Sequence, residues 1–132
     1  MKGITPYLTI GEGRAKQAVA FYQQAFGAEL VEQHAAEDGQ RLMHAHLQLN
    51  GGDLMLSDDF PEFHGGQSSA QPGGARLHLR VDDADALWAR ALAAGASVEM
   101  PLDDQFWGDR YGHLRDPFGQ VWSIGATISP KG

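Results

Sequence analysis

The feature that most constrains this chain is a repeat. AFGAELV, from Ala25 to Val31, lines up with AAGASVE, from Ala93 to Glu99, glycine on glycine, and YLTI, from Tyr7 to Ile10, lines up with HLRV, from His78 to Val81. In both copies the YLTI-type segment alternates like a strand, and the glycine-centred segment joins the end of a helical run to a new strand. A chain of 132 residues organised in this way reads as one supersecondary unit made twice.

Ile4 to Ile10 puts Ile4, Pro6, Leu8 and Ile10 on one side and Thr5, Tyr7 and Thr9 on the other, with Pro6 at a strand start or edge. Arg14 to Phe26 spaces Ala18, Val19, Tyr22, Ala25 and Phe26 as a helix does, and Gly27 supplies a left-handed stop. Ala28 to Gln33, Leu42 to Leu49 and Asp53 to Ser57 are strands separated by the turns AEDGQ and NGG. Asp58 to Ala75, holding Gly65, Gly66, Pro72, Gly73 and Gly74, is a connection without apolar periodicity. The plan then recurs. Arg76 to Val81 is a strand, and Asp83 to Ala94 is a helix carrying Leu87, Trp88, Ala91 and Leu92, closed by Gly95. Ser97 to Met100, about Tyr111 to Arg115, and Gln120 to Thr127 are strands, the last two joined by the turn DPFG. The expected fold is α+β: two tandem βαβββ modules over about 1–60 and 75–128, linked through about 58–75, within one domain.

Two such modules can join their sheets into one curved sheet, helices on the convex side and a cup on the concave side. Strand parity then sorts the residues by face. Leu77, Leu79 and Val81 pack on helices and leave Arg76, His78 and Arg80 toward the cup; Met43, Ala45, Leu47 and Leu49 pack inward and leave His44, His46 and Gln48 there; Thr5, Tyr7 and Thr9 complete it. The expected concave face is polar and rich in histidine.

Composition removes several classes of function. The absence of cysteine excludes disulfides, thiolate metal sites and cysteine nucleophiles. A net charge of −7 without any Lys/Arg-rich run disfavours nucleic acid and anionic membranes as partners. No apolar run approaches the roughly 20 residues that span a bilayer, and MKGITPYLTI lacks a signal peptide's apolar centre, so the expected location is cytoplasmic. GEGRAK, at Gly11 to Lys16, is too short for a phosphate loop, and Ser57 and Ser123 sit in no nucleophile elbow.

ITPYLTI, AVAFYQQAFGAEL, LMHAHLQL, LMLSDD and QFWGDRYGHLRDPFGQVWSI together resemble the PhnB-like branch of the vicinal oxygen chelate superfamily, which includes glyoxalase I, extradiol dioxygenases and bleomycin-resistance proteins. The resemblance covers essentially the whole chain and implies paired βαβββ modules, a homodimer and a small-molecule cavity in the cup. The superfamily's metal sites take His or Glu from the first and last strands of each module, places that fall on Thr5, Met55 (with Ser57 two residues on), Arg76 and Ser123. Hydroxyls, a thioether and a guanidinium are poor ligands for a divalent ion, so no cofactor is expected at the usual site. Arg76 there suggests a cation in the ion's place, able to fork onto a carboxylate, phosphate or enolate-like oxygen.

The expected ligand-facing set is Tyr7, His44, His46, Arg76, His78, Phe106, Trp107 and Ser123. Arg76 and His78 would meet the polar end of a small organic ligand, and Tyr7, Phe106 and Trp107 its apolar wall. QFWGDRYG is read as a loop overhanging the cup, with Gly108 and Gly112 as pivots. Asp58 is a candidate base that more often serves a turn; His34, His64 and His113 are given no role. Two rival readings stand beside this one. A metal-dependent lyase, isomerase or dioxygenase would recruit zinc, nickel or iron on His44, His46 and His78. A sequestering resistance protein would draw a cationic drug to its acidic surface.

Overall fold

A computed structural model of the chain describes residues 2–71 and 73–128. The helical spacing before Gly27 produces α1 (Ala15–Phe26), whose C-cap Gly27 sits at φ 72° in the left-handed region and returns its N–H to the Gln23 carbonyl. Around it are β1 (Tyr7–Ile10), β2 (Glu29–Ala35), β3 (Leu42–Leu49) and β4 (Gly52–Asp58). The second copy consists of β5 (Arg76–Arg80), α2 (Ala84–Ala94), β6 (Ser97–Asp104), β7 (Asp109–Arg115) and β8 (Val121–Thr127). The sheets are ordered β1-β4-β3-β2 and β5-β8-β7-β6. In each, the first strand runs parallel to the last and all other pairings are antiparallel. The α+β fold of tandem βαβββ modules is as expected. The chain divides into two compact units, Met1–Gln71 and Pro72–Gly132.

In the first unit α1 buries Ala18, Val19, Phe21, Tyr22, Ala25 and Phe26 over Ala45 and Leu47 of β3 and Leu54 and Leu56 of β4. Residue 14 offers α1 no side-chain cap. The cap comes from the end of β4: buried Asp58 accepts from the Ala15 N–H at 2.9 Å through Oδ1 and from the Leu42 N–H at 2.7 Å through Oδ2. One carboxylate thereby satisfies both the helix start and the start of β3. In the second unit Asp83 caps α2, accepting from the Ala86 N–H at 3.0 Å. That helix fully buries only Ala84 and Ala91, and the core is carried by Trp122, Ile124, Leu114 and Leu79. Asp116 of the DPFG turn accepts from the Trp122 indole at 2.9 Å and from the N–H groups of Phe118 and Gln120.

Several local expectations need correction. Ile4 is fully exposed because β1 begins only at Tyr7, where pairing with β4 starts. Met43 is 48% exposed and Leu42 is buried in its place: the β2–β3 register shifts between His34 and Ala35, so simple alternation fails at that end. Asp58 belongs to β4 rather than to the connection, and its two bonds to backbone show a structural role. The connection contains a 3₁₀ turn, Pro61–Phe63, and Pro72 lies outside the described residues. The strand after α2 runs on to Asp104, so QFWG is a tight hairpin turn rather than a long loop. Gly108, at φ 96°, serves that turn. Gly112 is no pivot: a Cβ there would come within 2.8 Å of the Leu102 backbone and the Trp88 ring.

Replacing Asp58 by Ala leaves two buried N–H donors unmet, and should lower the unfolding free energy by about 2–4 kcal/mol. Urea titration reads it through the midpoint. A loss under about 1 kcal/mol would show that water or rearrangement replaces the carboxylate.

Candidate functional site

The register lays the polar residues of each sheet in rows. In the first unit Tyr7, Met55, His46 and Glu32 stand abreast across β1, β4, β3 and β2. One row further, Thr9 faces Ser57 and His44 faces His34. In the second unit the corresponding rows are His78, Ser123, His113 and Met100, then Arg80, Gly125, Tyr111 and Asp103. The residues between these rows, such as Leu56, Ala45, Leu79 and Ile124, are buried. Alternation therefore turns the histidines and tyrosines to the opposite face.

The two rows carry the same aromatic pair with its members exchanged. On the first sheet Tyr7 of β1 lies against His44 of β3, ring centroids 5.7 Å apart and tilted 37°, with Tyr7 Oη 2.9 Å from His44 Nδ1. On the second, His78 of β5 lies against Tyr111 of β7 at the same 5.7 Å and a 30° tilt. Each partner then engages a further group. His44 stacks on His34 at 6.2 Å, and the Glu32 carboxylate is 3.7 Å from His34 Nε2 and 3.9 Å from His44 Nε2. His46 Nε2 is 2.8 Å from Asp53 Oδ1. On the second sheet Tyr111 Oη is 2.9 Å from His113 Nε2, and His78 Nδ1 is 2.7 Å from the hydroxyl of Ser123. Ser123 is only 1% exposed, so it acts as a fixed post that orients the ring and leaves Nε2 available for other chemistry.

The electrostatics of the second face keep its histidines uncharged. Partial desolvation depresses the pKa of His78, the Arg80 charge adds to this, and Asp109 opposes it. Desolvation also depresses His113, with Arg76 adding and Glu99 opposing. Arg80 is committed to Asp109 at 2.7 Å and to the Thr127 hydroxyl. Its guanidinium holds the Asp109 carboxyl below the usual carboxylate range, helped less strongly by the Trp107 indole. Among the described residues Arg76 has no hydrogen-bond or ion-pair partner.

Of the expected set, Tyr7, His44 and His46 share the face of the first sheet, and Arg76, His78 and Ser123 lie on the second. Phe106 and Trp107 occupy the β6–β7 turn. Phe106 is 96% exposed, while Trp107, 50% exposed, packs edge-on against Tyr111 at 5.7 Å. The carried-over metal positions shift by one row: the residue opposite Met55 is Tyr7, not Thr5, and the residue opposite Ser123 is His78, not Arg76. Among the described residues no three His, Asp or Glu side chains gather where they could share an ion. Tyr111, His113 and Gly125 are the residues that sequence reasoning missed. A Cβ at Gly125 would lie 2.9 Å from His78 Cε1 and 3.3 Å from Nε2, so this glycine makes room for the imidazole. The available signal was parity along β7, where buried Gly112 and Leu114 leave Tyr111 and His113 on the other face.

A model of the glyoxalase/bleomycin resistance protein/dioxygenase superfamily matches residues 5–124. The chain belongs to that superfamily. Its relatives within it include Rv0887c of Mycobacterium tuberculosis, 43% identical over 129 residues that make up 95% of this chain and 74% of that one. Among solved structures, PA1353 of Pseudomonas aeruginosa superposes with a TM-score of 0.76 at 29% identity, covering 98% of this chain and all of that one. A PhnB protein of Bacillus cereus gives the same TM-score at 23% identity over 96% of this chain and 100% of its own, a likeness of fold. Superfamily membership explains the module order.

Both His78 and His113 should titrate below the ordinary histidine value of about 6.5. With folded pKa values depressed, the unfolded chain takes protons first as pH falls. Their contribution to stability is thus complete above about pH 6.5 and declines below it toward the folded pKa values. NMR titration of the imidazole carbons measures this directly, and Arg76→Ala should raise the His113 value. A His78 or His113 pKa at or above 6.5 would contradict the arrangement described.

Proposed function

We propose that this protein binds a small organic molecule bearing an anionic oxygen, through the polar face of the second sheet and without a metal ion. The observation that carries this reading is Arg76: a guanidinium with no partner among the described residues, two positions before His78 on the same strand face and close enough to His113 to lower its proton affinity. A carboxylate, phosphate or enolate-like oxygen would take the guanidinium fork, while neutral His78 and His113 and the Tyr111 hydroxyl supply directional hydrogen bonds. Members of the superfamily take small-molecule ligands, which supports the class of partner. The apolar part of the ligand would rest on Trp107 and Tyr111. Tyr7, His44 and His46 form the matching face of the first module, and their Tyr–His pair is the natural second surface for the same kind of ligand.

The donor chemistry does not fit the superfamily's usual divalent ion. Tyr7 and Met55 stand in the first and last strands of one module, and His78 and Ser123 in those of the other. That is one imidazole and no carboxylate, too few suitable donors for the ion. The proposal accordingly assigns no step to a metal. It places the protein near the PhnB-like members and, as the superfamily resemblance implies, as a homodimer, with a cytoplasmic location proposed beside it.

A panel of small carboxylates, phosphates and phosphonates tested by calorimetry should yield a ligand whose affinity falls roughly tenfold or more in Arg76→Ala, from loss of a charge-assisted pair. His78→Ala should weaken it less, and zinc or nickel titrated alone should give no heat of binding. Unchanged affinity in both variants for every ligand found would remove the proposal.

A further inference from the structure

Away from both polar sheet faces, the first unit has a cleft of about 740 Å³ between the β2–β3 turn and the 3₁₀ turn after β4. Ala35, Met43, Phe60 and Phe63 give it apolar walls, and Glu37, Asp38 and Glu62 a carboxylate rim, with Arg41 between them. Its size lies within the roughly 300–1,000 Å³ typical of small-molecule pockets. Two of its apolar side chains are unusually open: Phe63 is 72% exposed and Met43 48%. Phe60 and Phe63 are tilted against each other with centroids 5.9 Å apart.

The charges in the cleft are not equivalent. The Arg41 guanidinium lies 4.3 Å above the Phe60 ring. Its Nε donates to Asp38 at 2.7 Å, its two terminal nitrogens fork onto Glu62 at 3.0 and 2.6 Å, and Nη1 also reaches the Asp59 carbonyl at 3.4 Å. The Arg41 backbone N–H, then the Arg41 guanidinium and the Gln40 N–H, lower the Asp38 carboxyl to about 2. Arg41 is therefore a strut that joins two turns and backs the Phe60 ring, with four of its five guanidinium N–H groups already donated and its charge matched by Asp38 and Glu62. Three carboxylates against that one guanidinium leave the lining net negative. Glu37 is the carboxylate with no hydrogen-bond or ion-pair partner among the described residues.

We propose that this cleft is a second ligand site, distinct from the sheet-face site, and that it takes an organic cation with an aromatic or alkyl body. The body lies on Phe63 and Met43, and the positive centre faces Glu37 across the acidic rim. An aromatic face and a carboxylate together favour a weakly hydrated ammonium over a neutral molecule of the same shape, and the acidic rim rejects an anion.

The test uses benzyltrimethylammonium as probe, with phenylacetate as the anionic counterpart, followed by amide NMR on the full chain. The expected result is saturable binding of the cation, with shifts centred on residues 35–38, 41 and 60–63, weakening at higher salt. Glu37→Gln should weaken it about threefold to tenfold and Phe63→Ala about tenfold, since an exposed charge contact and an aromatic contact are each worth on the order of 1 kcal/mol. Both side chains are exposed, so neither variant threatens the fold. No saturable shift, equal binding of phenylacetate, or affinity unchanged in both variants would overturn the assignment. Arg76→Ala should leave benzyltrimethylammonium binding unaltered, which keeps this result independent of the proposal for the second sheet.

Discussion

The first module depends on one buried carboxylate. Asp58 ends β4, the strand at the centre of that sheet's connectivity, and its two oxygens hold the first turn of α1 and the first residue of β3. β4 also pairs with β1 on one side and β3 on the other. Four elements are thereby indexed to one side chain. The rows of Tyr7, His46 and His44 follow from that indexing, because a slip of one residue in β3 would send both histidines into the core. Among the described residues of the second module no carboxylate accepts from the backbone of both a helix and a strand in this way. There Asp116 ties its own turn to the Trp122 indole, and the large ring does the anchoring.

Most of the fold was legible because its signals are local. Helical spacing ended by Gly27 and Gly95, and turns at NGG and DPFG, are written in contiguous residues. What failed is equally physical. PLDD, from Pro101 to Asp104, has no alternation, begins with a proline and lies on a sheet edge with shifted register, so it does not read as strand. Tyr111 and His113 fall within the strand expected from about Tyr111 to Arg115, but the contact of Tyr111 with His78 crosses to a strand that this stretch does not name. Met43 was misplaced for a related reason: it is the extra residue of β3 between His44, opposite His34, and Leu42, opposite Ala35, and nothing in the local sequence marks that irregularity.

The candidate site was legible residue by residue but not as pairs. Arg76, His78, Tyr7, His44 and His46 all have the parity that brings them to an outer face. Their partners depend on β1 and β5 running parallel to β4 and β8, a topological fact that no short stretch states. The same applies to the metal positions, where the observed register substitutes Tyr7 and His78 for Thr5 and Arg76. Arg76 is thus released from the ion's place and becomes a neighbour of His113.

Gly125 links shape to heredity. Because the space a Cβ would need there is already taken by the His78 imidazole, positions 125 and 78 are not free to vary separately. A lineage that gains a side chain at 125 must shrink or move the one at 78, and one that keeps the histidine in this orientation keeps the glycine. Ser123, two residues earlier on the same strand, lies under the same restriction through its bond to the ring. The sequence SIG on β8 is therefore a mould cast around an imidazole on another strand, and its drift among relatives would record whether that imidazole is still in use.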